Sequence, residues 1–495
     1  MSKPFPNSMD FAGYNAPSRV ECDIYDLVIE GTVPEEINGT WYRSIPDPQY
    51  APMLGDDTML SGDGMVSTFS FENGHVDFKM RYVQTDRWNH ERKARRSLYG
   101  LYRNPYTDDP TVHGPQGPGT SKGSRGVANT TPIFHGGRLL ALKEDSRGWE
   151  LDPVTLETRG EWDYQGKLKS QTMTAHTRLD PENGELHFFG YEAGGLATRD
   201  VAYCVADKSG NLVKEEWFEV PYCSMMHDFA VTKEHVIFPV FPTTANLERI
   251  KSGGPHWVWE PSQETFVGIM PRAGSVSDIR WFRGPATSAY HFMNAYTEGS
   301  KVHMDFGAGK VNPFRFIQQA SNIQVHPSEA AGDYVRWTFD LARPSDRWEE
   351  YKLGPGGEMP RIAEQDFMVD YDVGYYQTYN PEAGPPLLCG PVGAGFNTML
   401  RIEVKSGRLT ALALPPGMTM QECVHIPSRK PGHEGYLAFV VDLHEKNLSE
   451  VWLVEAASLS KGPIARIHVP LRLRAAVHGN WATAAELAGR KRAAA

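Results

Sequence analysis

The sequence predicts an all-β protein built by radial repetition of short antiparallel strands, the arrangement of a β-propeller. Three observations point there. Strand-length apolar or alternating segments recur along most of the 495 residues with turn signals between them. Few segments offer a convincing helix of three turns, and radial repetition is one way in which a large β protein manages its sheet edges. Four histidines in similar settings recur at intervals near blade length: 51 residues separate His176 from His227, 64 separate His227 from His291, and 187 separate His291 from His478, close to three times 62. Propeller blades repeat at roughly 40–50 residues before insertions.

The elements follow in order. Residues 1–40 are mixed and contain proline, and read as an N-terminal arm. Gly39-Thr40-Trp41-Tyr42-Arg43-Ser44 reads as the first strand. Ser61-Gly62-Asp63-Gly64-Met65-Val66 is a turn leading into the alternating segment Ser67-Thr68-Phe69-Ser70-Phe71. Glu72-Asn73-Gly74 is a hairpin turn, and residues 76–83 alternate back. Residues 85–104 are polar and basic with helical character, and 107–126 are rich in Gly, Pro, Ser and Thr and read as a long surface loop. Strands are then expected at 138–143, 186–191, 236–241, 289–296, 399–404, 436–441 and 450–454. The chain reads as one domain, 1–495, ending in a tail at 482–495 that carries Arg490-Lys491-Arg492.

Composition narrows the function. Lys and Arg number 50 against 61 Asp and Glu, a formal charge of -11, which argues against a nucleic-acid partner, because such partners select a basic face. Apolar residues make up 40% and aromatics 11%, ample for a core. No signal-peptide-type run opens the chain and no later run reaches membrane-spanning length, so a soluble cytoplasmic protein without membrane partners is expected. The five cysteines form no CxxC pair and read as reduced thiols. Cys223, four residues before His227, reads as buried filler.

The segment that organises the chain is Met225-Met226-His227-Asp228-Phe229-Ala230, with a buried strand after it. His176 in Thr174-Ala175-His176-Thr177, His291 in Ala289-Tyr290-His291-Phe292 and His478 in Ala476-Val477-His478-Gly479 have comparable settings. Imidazole suits divalent transition metals. The chain has 17 histidines, and a lone one is more often surface or satisfied core than ligand, so spacing this loose carries little weight alone.

Further motifs add to it: Gly62-Asp63-Gly64-Met65, Ala128-Asn129-Thr130, Ala141-Leu142-Lys143-Glu144, Glu358-Met359-Pro360-Arg361-Ile362, Gln421-Glu422-Cys423 and His478-Gly479-Asn480-Trp481. On these motifs and the histidine settings the chain resembles the carotenoid cleavage oxygenases nearly end to end, most closely their bacterial lignostilbene dioxygenase branch. The resemblance implies a seven-bladed β-propeller capped by loops and short helices, with residues 85–126 in the cap region. It implies Fe(II) held by His176, His227, His291 and His478, with Glu144, Glu358 and Glu422 accepting the far N–H of three of the rings. Such a partner fixes the tautomer and makes the ring a better donor. Thr130 matches the position whose methyl sits beside an open coordination site.

Lys143 and Tyr102 match the pair that holds the 4-hydroxyl of a stilbene in this branch. A nearby ammonium favours phenolate over phenol, and phenolate pushes electron density onto the central alkene. Leu60 stands where relatives carry an aromatic residue against the substrate ring, and Phe314 is expected to line the same cleft. Without the resemblance, Lys143 reads as a strand-end surface lysine, Tyr102 as a packed loop aromatic, and the glutamates as solvated charges. The expected activity is Fe(II)-dependent cleavage of the central C=C bond of 4-hydroxystilbenes (lignostilbene, resveratrol-like) with O2 to two aromatic aldehydes; a homodimer stays open. The alternatives are an apocarotenoid-cleaving oxygenase on the same scaffold, a propeller used only for binding, and a calcium propeller hydrolase, which would need oxygen ligands instead of imidazoles.

Overall fold

The computed structural model describes residues 3–320 and 332–490. Lys491 and Arg492 of the basic run, with the rest of 491–495, lie outside the described residues. Strands dominate: among the described residues the sheets are seven of four or five antiparallel strands, one of three and one of two. The chain divides into two compact units, Met1–Asp163 with Tyr379–Met399 and Ala411–Ala495, and Tyr164–Thr378 with Leu400–Thr410.

The first unit begins with the predicted hairpin, Gly64–Glu72 against His75–Tyr82. Asn73 (φ 50°) and Gly74 (φ 82°) take the left-handed backbone that a two-residue turn needs. Burial alternates along His75–Tyr82, and its inward Phe78 stacks in the row Trp41–Phe69–Phe78, with ring centroids 5.4 and 5.0 Å apart. The arm does more than lie over the body. Cys22–Ile24 pairs with the hairpin strand His75–Tyr82, and Ile29–Gly31 forms the edge of the sheet made by residues 418–469. From the other terminus, Gly479–Thr483 pairs with Gly39–Pro46. Both ends of the chain are thus tied by backbone hydrogen bonds. The remaining four-stranded sheet of this unit spans Thr131–His135 to Thr158–Trp162.

Residues 85–126 are only partly as expected. Asp86–Ala94 is a helix, capped by the Thr85 hydroxyl, which accepts from Trp88 N, and closed by Arg95 in the left-handed region. The segment 107–126 is not a plain loop: His113–Gly114 and Gly117–Ser121 pair as a small hairpin. Its Gly and Pro content hid strands two and five residues long.

The second unit contains the sheets of residues 178–219, 230–284, 292–355 and the sheet that begins at Glu358–Arg361. Its core centres on aromatic packing, Phe306 edge-on to Trp337 at 4.7 Å and Trp337 stacked on Trp348 at 4.2 Å. The strand expected at 289–296 runs from Phe292 to Glu298, so His291 sits just ahead of it. The strand read at 67–71 starts three residues earlier, at Gly64, and the other expected strands agree within two residues at either end. No helix among the described residues is long and apolar enough to cross a membrane.

Candidate active site

In the second unit, three of the expected ligands converge. Each stands just before the edge strand of its own sheet: His176 before Arg178–Leu179, His227 before Ala230–Val231 and His291 before Phe292–Glu298. The Nε2 atoms of His176 and His227 are 3.0 Å apart, and those of His227 and His291 are 3.2 Å apart. The rings meet edge-to-face, with interplanar angles of 60–69°.

An ion pair locks the three segments together. The Arg178 guanidinium donates to Asp228 Oδ2 at 2.6 Å and to the Phe229 carbonyl at 2.9 Å. The same Asp228 carboxylate accepts from the backbone N–H of Phe229 and of Phe292. Arg178 lies two residues after His176, Asp228 one after His227, and Phe292 one after His291, so one buried carboxylate ties down all three loops. Sequence reasoning gave neither residue a role, because nothing local shows that Arg178, two residues after His176, meets Asp228, directly after His227.

Glu358, the first residue of its edge strand, accepts from His291 Nδ1 at 2.5 Å and from the Met359 N–H at 2.9 Å. Burial pushes the Glu358 carboxyl up, but the His291 contact and the Met359 amide outweigh it and leave the group below the ordinary carboxylate range. With Nδ1–H given to Glu358, His291 presents the lone pair of Nε2 to its neighbours. Lone pairs converging at this range fit a shared cation. Imidazole–metal bonds of ~2.1 Å at right angles place neighbouring nitrogens ~3.0 Å apart. Phe314 packs edge-on against Tyr290 at 4.6 Å, and Tyr290 in turn lies 5.7 Å from the His227 ring. Asn312 donates to the Tyr290 hydroxyl at 2.6 Å and fixes that ring.

A second group of possible ligands in this unit, Asp180, Glu185 and His187, surrounds the Arg272 guanidinium instead, whose Nη2 reaches them at 2.8, 3.3 and 3.0 Å. Burial and then the Arg272 charge push His187 down to about 3, so its ring is neutral. This group is an ion-pair knot.

In the first unit, His478 repeats the pattern of His291. It precedes the edge strand Gly479–Thr483, and its Nδ1 faces Glu422 Oε1 at 2.8 Å. Glu422 Oε2 also accepts from the Gly479 N–H at 2.8 Å. The His478 N–H donates to the Thr130 carbonyl at 3.1 Å. Thr130 is buried just before its own edge strand, with its hydroxyl 3.1 Å from Asn129 Oδ1. Asn129 donates to the carbonyls of Leu60 and Gly62 at 2.8 and 2.7 Å. Gly64 permits this approach: a Cβ there would sit 2.3 Å from the carbonyl oxygens of Val127 and Ala128.

Lys143 and Tyr102 also come together. Lys143 is 3% exposed, just past the strand Arg138–Leu142, so it is no surface lysine. Its Nζ lies 3.4 Å from the Leu60 carbonyl, 3.5 Å from the Tyr102 hydroxyl and 5.0 Å from the Tyr102 ring centroid. Burial lowers the Lys143 pKa against the raising charges of Asp145 and Glu144, and Arg103 adds to the lowering. Burial, then Glu144, pushes the Tyr102 hydroxyl well above its usual value, so it remains a neutral donor. Arg103 beside it has φ 55°, an uncommon left-handed backbone for such a residue, and faces Glu144 at 3.7 Å with both side chains buried. Leu60 itself is buried in the 3-10 turn Met59–Ser61.

Residues 15–483 match the family described as retinal pigment epithelial membrane protein, RPE65. The chain is 40% identical to an isoeugenol monooxygenase of Pseudomonas nitroreducens over 478 residues, covering 96% of this chain and 98% of that one. It is 39% identical to lignostilbene-alpha,beta-dioxygenase isozyme III of Sphingomonas paucimobilis over 491 residues, covering 98% and 99%. The crystal structure of a Pseudomonas brassicacearum lignostilbene dioxygenase superposes with a TM-score of 0.91 at 40% identity, covering 97% of this chain and 100% of that one. The chain belongs to the RPE65 family, the carotenoid cleavage oxygenases, and is an oxygenase.

Proposed function

We propose that the protein is an Fe(II) dioxygenase that cleaves the central C=C bond of a 4-hydroxystilbene, adding both atoms of O2 to give two aromatic aldehydes. His176, His227, His291 and His478 hold the metal in this reading, and Glu144, Glu358 and Glu422 orient three of the rings. Its support is the shared arrangement of His291 and His478, each with Nδ1 committed to a glutamate, together with three Nε2 atoms at metal-sharing distances. The seven-bladed propeller and its cap belong to the same reading. Seven sheets of four or five strands support it, as do the edge strands that begin at or just after Thr130, His176, His227, His291, Glu358 and His478.

The bound iron would supply activation of O2; the chain supplies the rest. Lys143 and Tyr102 receive the 4-hydroxyl, whose proton passes to solvent as the substrate docks, and the Lys143 ammonium balances the phenolate charge that remains. The buried setting strengthens this pairing by excluding water. The resulting phenolate raises electron density on the alkene carbons. Thr130, with its hydroxyl on Asn129, presents its methyl to limit what binds beside the metal. Tyr290, braced by Asn312 and Phe314, forms a wall near His227, and Leu60 leaves more room than an aromatic would.

The observation that carries the substrate assignment is the buried Lys143–Tyr102 pair. Isoeugenol is also a 4-hydroxyphenyl alkene, so the relative acting on it favours the same hydroxyl-reading end, with a propenyl group in place of the second ring. Iron-loaded enzyme should convert a 4-hydroxystilbene to two aldehydes, each carrying one 18O atom from 18O2. The 4-methoxy analogue should react at least about 100-fold more slowly, because it leaves buried polar groups unmatched. Turnover of an apocarotenoid without turnover of either hydroxyphenyl alkene would refute the assignment.

A further inference from the structure

Gln421 stands beside Glu422 on the strand Met418–Ile426, yet neighbouring residues of a regular strand point to opposite faces. The register against Tyr436–Leu443 shifts between Met420, opposite Val441, and Cys423, opposite Phe439. Gln421 and Glu422 together therefore occupy one partner position, a β-bulge, and bulges re-aim side chains next to active sites. Both side chains reach the same segment. Gln421 Oε1 accepts from the Ala476 N–H at 2.9 Å, and Glu422 takes His478 Nδ1 and the Gly479 N–H, each at 2.8 Å.

Four consecutive backbone N–H groups are thereby fixed: Ala476 to Gln421, Val477 to the Ser44 carbonyl at 2.9 Å, His478 to the Thr130 carbonyl, and Gly479 to Glu422. Gln421 is itself braced. Arg43 donates to its Oε1, and its Nε2 donates to Asp442 Oδ1 at 2.9 Å. Asp442 accepts in turn from Thr419 at 3.2 Å and Ser449 at 3.4 Å. Arg43, Gln421 and Asp442 are all buried. The amide's direction follows from its neighbours: its oxygen faces two donors and its nitrogen faces a carboxylate.

We propose that Gln421 is a positioning residue for His478: held by Arg43 and Asp442, it fixes the backbone at Ala476, two residues before His478, so that Nε2 meets the metal in the correct direction. This inference rests on the assignment of His478 as an iron ligand.

Anaerobic Fe(II) binding, measured without substrate, tests it on the full chain. Gln421→Leu should weaken iron binding by about 10–100-fold, the range seen when outer partners of metal ligands are lost. The polarity-swapped double variant Gln421→Glu with Asp442→Asn keeps an oxygen for Ala476 and Arg43 and a donor from residue 442, and should restore affinity to within about threefold. Thr419→Val loosens the same buried network without touching the Ala476 bond, and should lower the thermal midpoint while leaving iron affinity unchanged. The proposal is overturned if Gln421→Leu binds iron like the wild type, or if Thr419→Val weakens binding as much. Should Gln421→Leu not fold, a folded double variant with poor iron affinity overturns it. A wild type that binds no iron would instead remove the ligand assignment beneath it.

Discussion

Replacing Lys143 by methionine is expected to abolish cleavage of a 4-hydroxystilbene, with kcat/KM falling by about 10³-fold or more, while iron content stays at the wild-type level. Methionine fills similar space but offers no charge. Lys143 is buried against Leu60 and Tyr102, so in the variant the phenol meets a neutral side chain in a water-poor setting and keeps its proton. The alkene then lacks the electron density that makes it reactive. An alkaline pH limb is expected as well. Burial lowers the Lys143 pKa, so the ammonium is lost as pH rises through a value below the ordinary lysine value of about 10.4. Wild-type activity on a 4-hydroxystilbene should therefore fall on that alkaline side. A Lys143→Met enzyme with wild-type kcat/KM would remove the phenolate account and leave the metal site standing.

Glu358→Gln is the second large effect, read on the metal. The amide keeps the shape and an acceptor oxygen for His291, but it carries no charge. His291 donates to Glu358 at 2.5 Å, and the carboxylate makes that imidazole a stronger donor through its other nitrogen. Removing the charge should weaken Fe(II) binding by about 10–100-fold, measured by anaerobic competition with a chelator. Activity at saturating iron should fall less than affinity does. Unchanged affinity would mean that the Glu358–His291 contact serves packing alone.

Much of the fold was legible because period-2 alternation and turn chemistry are local. The Asn73-Gly74 hairpin could be placed from its two turn residues, since few others tolerate that backbone. The strand at 289–296 was misplaced by three residues at its start, because Ala289-Tyr290-His291 is as apolar as the strand that follows. Gly and Pro concealed the hairpin at 113–121, whose strands are too short to show a period. In the site, the three histidines of the second unit lie together, and Lys143 lies beside Tyr102. The supports were not legible. The Arg178–Asp228 clamp joins residues 50 positions apart, and the side chains of Gln421 and Glu422 share a target only because of a bulge. Such partnerships depend on tertiary register, which a single sequence does not display.

His176, His227, His291 and His478 are proposed to hold one ferrous ion through their imidazoles. The most direct measurement is metal content after anaerobic reconstitution and removal of loose iron, on the wild type and on four single histidine-to-alanine variants. The account predicts about one iron per chain in the wild type, with the same folded state and far less iron in each of the four variants. A wild type without iron, or a folded His227→Ala protein that keeps its full complement, would contradict it.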